Sequence, residues 1–175
     1  SREEDAVRKI RKLVEDVTRE TKKMLEDVRR LVETVEKLTD DLLEEVRRLV
    51  EEVEDEIRRA GDVEERAREL VEEIKRIIDE VRETSERLDR EIEDLLRKVE
   101  KRARDLDRRI KEIIDREVDS ELLREVEDLL RRHHETVRRI LDEIRRLIER
   151  HHRRVREILK ELDKLVKDAA DEVRR

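Results

Sequence analysis

The sequence predicts an all-α fold, an elongated up-down-up antiparallel three-helix bundle that is nearly untwisted. The first observation is composition: charged residues make up 58% of the 175 residues, and the 34% that are apolar include no Phe, Trp or Tyr. The second is that one Gly and no Pro argue against a sheet protein with many turns. The third is a helical spacing of Leu, Ile and Val that follows an 18-residue repeat.

Two short segments interrupt this pattern and separate three helices of about 56 residues each, or about 84 Å at 1.5 Å per residue. Gly61 suits the left-handed position that ends a helix, and Asp62 with Glu65 forms a capping box for the next helix. Asp119 is the predicted N-cap of the third helix. We therefore predict one domain, 1–175, with helices over residues 2–60, 62–117 and 119–174.

The repeat length predicts how the helices pack. Eighteen residues at 3.6 per turn make five whole turns, so the apolar stripe returns to the same angle and needs no supercoil. In the first helix, Val7, Ile10 and Val14 belong to a stripe of about 120°, which suits a helix with two neighbours. The remaining two-thirds of each helix surface is polar, and this explains the high charge.

Regular 18-residue repeats, three equal helices, the Ala60-Gly61-Asp62 loop and an aromatic-free core resemble a de novo designed helical bundle. The type that they resemble is the parametric three-helix bundle with buried hydrogen-bond networks. The resemblance covers the whole chain, whereas natural long three-helix repeats such as spectrin usually carry aromatic residues. It implies a structural scaffold that has no natural biochemical function and no evolved substrate.

Polar side chains interrupt the stripes at matching heights. Short connections put Ser85 opposite about residue 152 and make Thr21 and Thr39 level with about residues 136 and 154. Two polar layers result, one with Thr21 and His133, the other with Thr39, Ser85 and His151. Four further residues lie at the stripe edges: Thr18, Thr84, His134 and His152. The third equivalent layer is apolar: Ile57, Ala67 and Ala169.

These layers predict buried hydrogen-bond networks, because a buried imidazole needs partners for both ring nitrogens and Thr or Ser hydroxyls can supply them. Their structural use is to specify helix register, which a uniform aliphatic core specifies poorly. The alternative is a pH response. Burial lowers the pKa of a histidine, so protonation would destabilise the fold below about pH 6.5.

Other site types find no support, and we predict no catalytic, cofactor-binding or metal-binding residues. The chain has no Cys, adjacent histidines point about 100° apart, and no two histidines have the i, i+4 spacing of a helical zinc site. Ser85 near His151 or His152 imitates a nucleophile–base pair but has no oxyanion hole. The basic stretch 145–156 could suggest nucleic-acid binding, but the chain has no aromatic residues to stack on bases. Because the stretch lies level with acidic residues of the other helices, its charge is better explained by complementarity between the helices.

No partner, nucleic acid or membrane is required by this interpretation. No apolar run approaches the roughly 18 residues of a membrane span, and the start SREEDAV lacks the apolar core of a signal peptide. We expect a soluble protein that is expressed recombinantly in the cytoplasm of a host cell. The sequence does not indicate any natural compartment. The alternative role is an assembly module that associates with itself or with partner helices. Its contacts would be the edge residues of the third helix: Leu123, Leu130, Leu141, Ile148 and Leu159.

Overall fold

A computed structural model describes residues 1–59 and 64–174, except for the side chains of Glu64, Ser120, Val173 and Arg174. It contains three helices: α1 (Arg2–Arg59), α2 (Glu64–Glu117) and α3 (Ser120–Arg174). No strand occurs in these described ranges. The prediction of an all-α, three-helix fold is therefore confirmed.

The helix ends agree with the sequence pattern to within a residue where they are described. α2 ends at Glu117 as predicted, and α3 begins directly after Asp119, which is the position expected of an N-cap. The Asp119 N–H donates to the Glu3 carboxylate at 2.6 Å. The predicted turn with Gly61 and Asp62 lies outside the described residues.

The chain divides into two compact units, and each contains a segment of all three helices. The first unit comprises Ser1–Arg30 with Glu91–Leu147, and the second comprises Leu31–Arg90 with Ile148–Arg175. The prediction that residues 1–175 form one domain stays a prediction.

Aliphatic residues from all three helices form the core of the first unit. Ile10 on α1, Ile110 on α2 and Val126 on α3 belong to one cluster and are completely buried. Each such side chain contributes about 1.5–3 kcal/mol when it leaves water. The stripes predicted from the helical period therefore meet in this unit.

Ion pairs between α1 and α3 show the relative directions of these helices in the first unit. Arg11 of α1 pairs with Glu125 of α3 at 2.6 Å, and Arg29 pairs with Glu143. Residue numbers rise together along these two helices, so α1 and α3 are parallel.

The contacts between α1 and α2 of the first unit run in the opposite sense. Arg2 pairs with Glu117 at 3.9 Å, and Glu20 pairs with Arg102 at 2.8 Å. Numbers on α2 fall as those on α1 rise. The up-down-up order follows.

The second unit repeats this construction. Val46 on α1, Ile74 on α2 and Ile158 on α3 are completely buried in its main core cluster. Ion pairs between α1 and α3 join Asp40 with Arg154 at 3.0 Å and Arg47 with Glu161 at 2.7 Å, and a pair between α1 and α2 joins Glu52 with Arg66 at 3.3 Å.

Candidate functional site

His133 is the inner histidine of the first unit. It lies on α3 and is 3% exposed. A hydrogen bond of 2.9 Å joins its Nδ1 to Thr18 Oγ1 on α1. Its other ring nitrogen, Nε2, is buried and has no hydrogen-bond partner among the residues that the structure describes. The ring is thus tied to one neighbouring helix by one nitrogen.

His151 is the inner histidine of the second unit, and it uses the opposite ring nitrogen. It is 1% exposed, and its Nε2 lies 3.2 Å from Ser85 Oγ on α2. Within the described part of the chain, its buried Nδ1 has no hydrogen-bond partner. The two inner histidines therefore bond to different helices through different nitrogens.

The outer histidines, His134 and His152, each bond to an aspartate of α2. His134 Nε2 lies 2.9 Å from Asp107 Oδ1, and His152 Nε2 lies 2.8 Å from Asp89 Oδ1. An ionised carboxylate only accepts hydrogen bonds, so each Nε2 carries the hydrogen and donates it. These side chains are about half exposed, and solvent weakens the contribution of such contacts to stability.

The histidine pairs have nearly the same geometry in both units. The ring centroids of His133 and His134 are 5.9 Å apart and their planes are inclined by 50°. For His151 and His152 the values are 6.1 Å and 49°. The 18-residue repeat thus reproduces the ring arrangement.

The hydroxyl partners, by contrast, are exchanged between the units. The residue equivalent to Thr18 in the second unit is Glu36, one repeat later. The residue equivalent to Ser85 in the first unit is Ala103. At this pair of positions the first unit therefore has its hydroxyl on α1, and the second unit has its hydroxyl on α2.

Three other predicted polar residues are buried: Thr21, Thr39 and Thr84. Thr21 donates to the Val17 carbonyl oxygen at 2.8 Å, and Thr39 donates to that of Glu36 at 3.0 Å. Both hydroxyls thus donate their hydrogen bond to a backbone carbonyl of their own helix, as threonine often does. In the first unit the bond to histidine comes instead from Thr18, an edge residue that is half-buried.

The environment of the inner histidines favours their neutral form. Burial lowers the pKa of His133 below its ordinary value of 6.5; the charge of His134 also lowers it, and Asp107 raises it. Burial likewise lowers the pKa of His151, against the opposing effect of Asp89, while His152 lowers it further. Desolvation is the largest cause in both cases.

Asp107 and Asp89 are not among the residues predicted from the sequence. The predicted register puts His134 opposite about residue 103, and Asp107 lies one helical turn further along the same face of α2. Asp89 precedes Asp107 by the length of one repeat. The two aspartates are therefore 18 residues apart, as His134 and His152 are on the facing helix. This equal spacing is the sequence signal that could have identified the aspartates.

The structure also describes the residues expected to mediate assembly and the surfaces where a metal site or a membrane-spanning stretch would lie. The five edge residues of α3 proposed as assembly contacts are half-buried, whereas Leu38 on α1 is 40% exposed. In the described ranges, no cluster of three or more His, Asp or Glu side chains is arranged to hold a metal ion. No described helix has a stretch long and apolar enough to span a membrane.

Comparison with known proteins supports the fold. The sequence matches no protein-family model and no curated protein. Among solved structures it is similar to a protein described as a computationally designed three-helix bundle. The TM-score is 0.51 and the identity 19%, over 99% of this chain and 92% of that chain. This chain is therefore similar in fold to a designed three-helix bundle.

Proposed function

We propose that this chain is a designed structural scaffold without a substrate, and that its histidine layers specify the register of the helices. The observation that carries the proposal is that both inner histidines are buried and bonded to a hydroxyl of another helix. The bond between His133 and Thr18 has the separation that the repeat-based register predicts for α1 and α3. The likeness to a designed three-helix bundle supports the scaffold role.

A helix that slips out of register would lose hydrogen bonds of the histidine layers. Leu, Ile and Val side chains are similar enough that an aliphatic stripe fits several registers. A slipped inner histidine would lose its hydroxyl partner while it stays buried. An unpaired buried polar group costs about 1–3 kcal/mol. The layers therefore add a penalty for wrong registers that the apolar residues do not supply.

The apolar layer offers a comparison within the same chain. Ala67 and Ala169, which are equivalent to Ala103 and His151, are 1% exposed. They show that the same stripe positions accept small apolar residues. Burial alone does not require a histidine there, which favours a role in specificity.

Spin-label distances test the proposal directly. The chain contains no Cys, so Lys22→Cys and Arg138→Cys place single labels on exposed positions of α1 and α3 in the first unit. We expect one narrow distance in this labelled protein. Adding His133→Leu and His151→Leu should broaden the distribution or add a second distance, because one turn of slip moves a label about 5.4 Å.

The matched control replaces the outer histidines, His134→Gln and His152→Gln, in the same labelled protein. These residues have the same type and sequence neighbourhood but are about half exposed. The control should keep the single distance. If the His133→Leu/His151→Leu protein also keeps it, the apolar stripes alone set the register and the proposal is wrong.

A pH response is the second candidate function, and the lowered pKa of both inner histidines favours it. In the unfolded chain a histidine takes up a proton near 6.5, but in the folded chain it resists the proton. The unfolded state therefore binds more protons in acid. Stability contributed by the neutral rings is complete above about pH 6.5 and decreases as the pH falls further.

Guanidinium unfolding at pH 7.5 and pH 5 tests this response. We expect the midpoint to fall at pH 5, and to fall less in a His133→Ala/His151→Ala variant. The variant is essential because the chain also has 54 Asp and Glu residues that acid protonates. Equal falls in both proteins would assign the effect to the carboxylates and contradict the histidine switch.

A further inference from the structure

The two inner imidazoles use different ring nitrogens for their hydrogen bonds. In a neutral imidazole one nitrogen donates and the other accepts. His133 bonds through Nδ1 and leaves Nε2 without a partner among the described residues, whereas His151 bonds through Nε2 and leaves Nδ1 without one. The unpartnered nitrogen is thus a different atom in each ring.

The hydrogen belongs on the bonded nitrogen in both rings. A buried N–H without an acceptor is among the rarest groups in proteins, and an unused lone pair is tolerated better. The Thr18 and Ser85 hydroxyl oxygens can accept this hydrogen, because a hydroxyl oxygen has two lone pairs.

We propose that the two inner histidines are held as opposite tautomers, with the hydrogen on Nδ1 in His133 and on Nε2 in His151. His133 then donates to Thr18 on α1, and His151 donates to Ser85 on α2. The nearly equal geometry of the two histidine pairs leaves the exchanged hydroxyl as the cause of the difference.

The opposite tautomers also determine where each ring accepts an added proton. His133 accepts it at Nε2 and His151 accepts it at Nδ1, in each ring the buried nitrogen that has no hydrogen-bond partner among the described residues. The titratable side chains that act on the two rings are their histidine neighbours and the aspartates of α2: His134, Asp107, His152 and Asp89.

Long-range ¹H–¹⁵N correlation spectra of the histidine-labelled full chain at pH 7.5 test the proposal. The ¹⁵N shifts of the two ring nitrogens differ between tautomers, and single His→Gln variants assign the four signals. We expect the Nδ1–H pattern for His133 and the Nε2–H pattern for His151. The same tautomer in both rings, or averaged shifts in either, overturns the proposal.

A swap of the hydroxyl supplies the second test. Thr18→Val with Ala103→Ser moves the hydroxyl of the first unit from α1 to α2, which is the arrangement of the second unit. His133 should then change to the Nε2–H pattern, and His151 should keep its own. A His133 that stays in the Nδ1–H pattern would show that the hydroxyl does not select the tautomer.

These measurements are independent of the register proposal. Opposite tautomers with unchanged label distances in the His133→Leu/His151→Leu protein would reject only the role in register. A common tautomer with broadened distances would reject only the present inference.

Discussion

At the scale of single residues, Thr18 and Thr21 show how neighbouring positions on one helix separate two roles. Thr21 is 2% exposed but donates its hydrogen to its own helix, whereas the half-buried Thr18 reaches His133. A residue near the centre of a stripe points into the core between the helices. At these two positions of α1 it is the edge residue, Thr18, that lies close enough to α3 to form an interhelical bond.

We predict that Thr18→Val destabilises the fold by about 1–3 kcal/mol, because it leaves both nitrogens of a buried imidazole unpaired. The free energy of unfolding from guanidinium titration at pH 7.5 measures the loss. The change in shape is small, since valine nearly matches threonine in volume.

Thr136→Val is the matched control for that substitution. Its hydroxyl donates to the Arg132 carbonyl oxygen of the same helix at 3.0 Å. The change should alter stability by no more than about 0.5 kcal/mol. If Thr18→Val costs as little as the control, the bond to His133 contributes nothing measurable.

The sequence identifies most of these residues because burial follows from the helical period. His133, His151, Thr21, Thr39 and Ser85 lie within the stripes, and the structure buries them. Hydrogen-bond partners are harder to predict, because they depend on side-chain rotamers and on alternatives within the same helix. Thr39 thus bonds to its own backbone.

The two aspartates escape prediction for a different reason. Asp107 and Asp89 belong to the charged surface, and their 18-residue spacing becomes informative only when it is compared with the equal spacing of His134 and His152 on α3. Only the packed helices show which carboxylates come within reach of His134 and His152.

At the scale of the helices, stability comes from the depth at which the aliphatic stripes are buried. Leu162 of α3 is completely buried in the main core cluster of the second unit, and Leu38 of α1, in the same unit, is 40% exposed. Both are leucines on long helices, so helix propensity does not distinguish them. The difference in burial isolates the contribution of packing.

Leu162→Ala should therefore destabilise the fold by about 2–5 kcal/mol, from lost burial and the cavity that remains. Leu38→Ala should cost less than about 1 kcal/mol, since much of that side chain is already in water. Guanidinium unfolding of the two variants under one set of conditions makes the comparison. Equal losses would mean that Leu38 is also covered, by another copy of the chain or by a partner.

Helix positions and directions are predictable because the sequence is locally consistent. Every long segment favours helix by composition, and Asp119 marks the start of α3 to within one residue. Relative register is predictable because the connections between the helices are short and limit how far one helix can slide along another. Ion-pair partners such as Arg11 and Glu125 are less predictable, because a long arginine side chain can reach several carboxylates on neighbouring helical turns.

At the scale of the whole molecule, positive and negative side chains occur in nearly equal numbers. The chain has 47 Lys and Arg and 54 Asp and Glu, a net charge of −7. Many of these groups form exposed ion pairs, which contribute little individually. Their main effect is to solvate the helix faces that point away from the core, and among the large apolar side chains that the structure describes Leu38 is the exposed one.

We therefore expect light scattering to give a mass of about 21.5 kDa, that of a single chain. The measurement should be made at pH 7.5 and repeated at pH 5, where protonated inner histidines would loosen the packing. A multiple of this mass at both values would contradict the monomer and favour the assembly module. A multiple at pH 5 alone would indicate association through residues that acid exposes.

The ion pairs between α1 and α3 recur with the period of the repeat: Arg11 with Glu125, Arg29 with Glu143 and Arg47 with Glu161. A displacement of α3 by one whole repeat would re-form equivalent pairs, so these contacts carry no positional information. Under the register proposal the two histidine layers supply that information, because one bonds to α1 and the other to α2. In a chain built from nearly identical repeats, a few exchanged hydroxyl groups are enough to make each repeat distinguishable from the next.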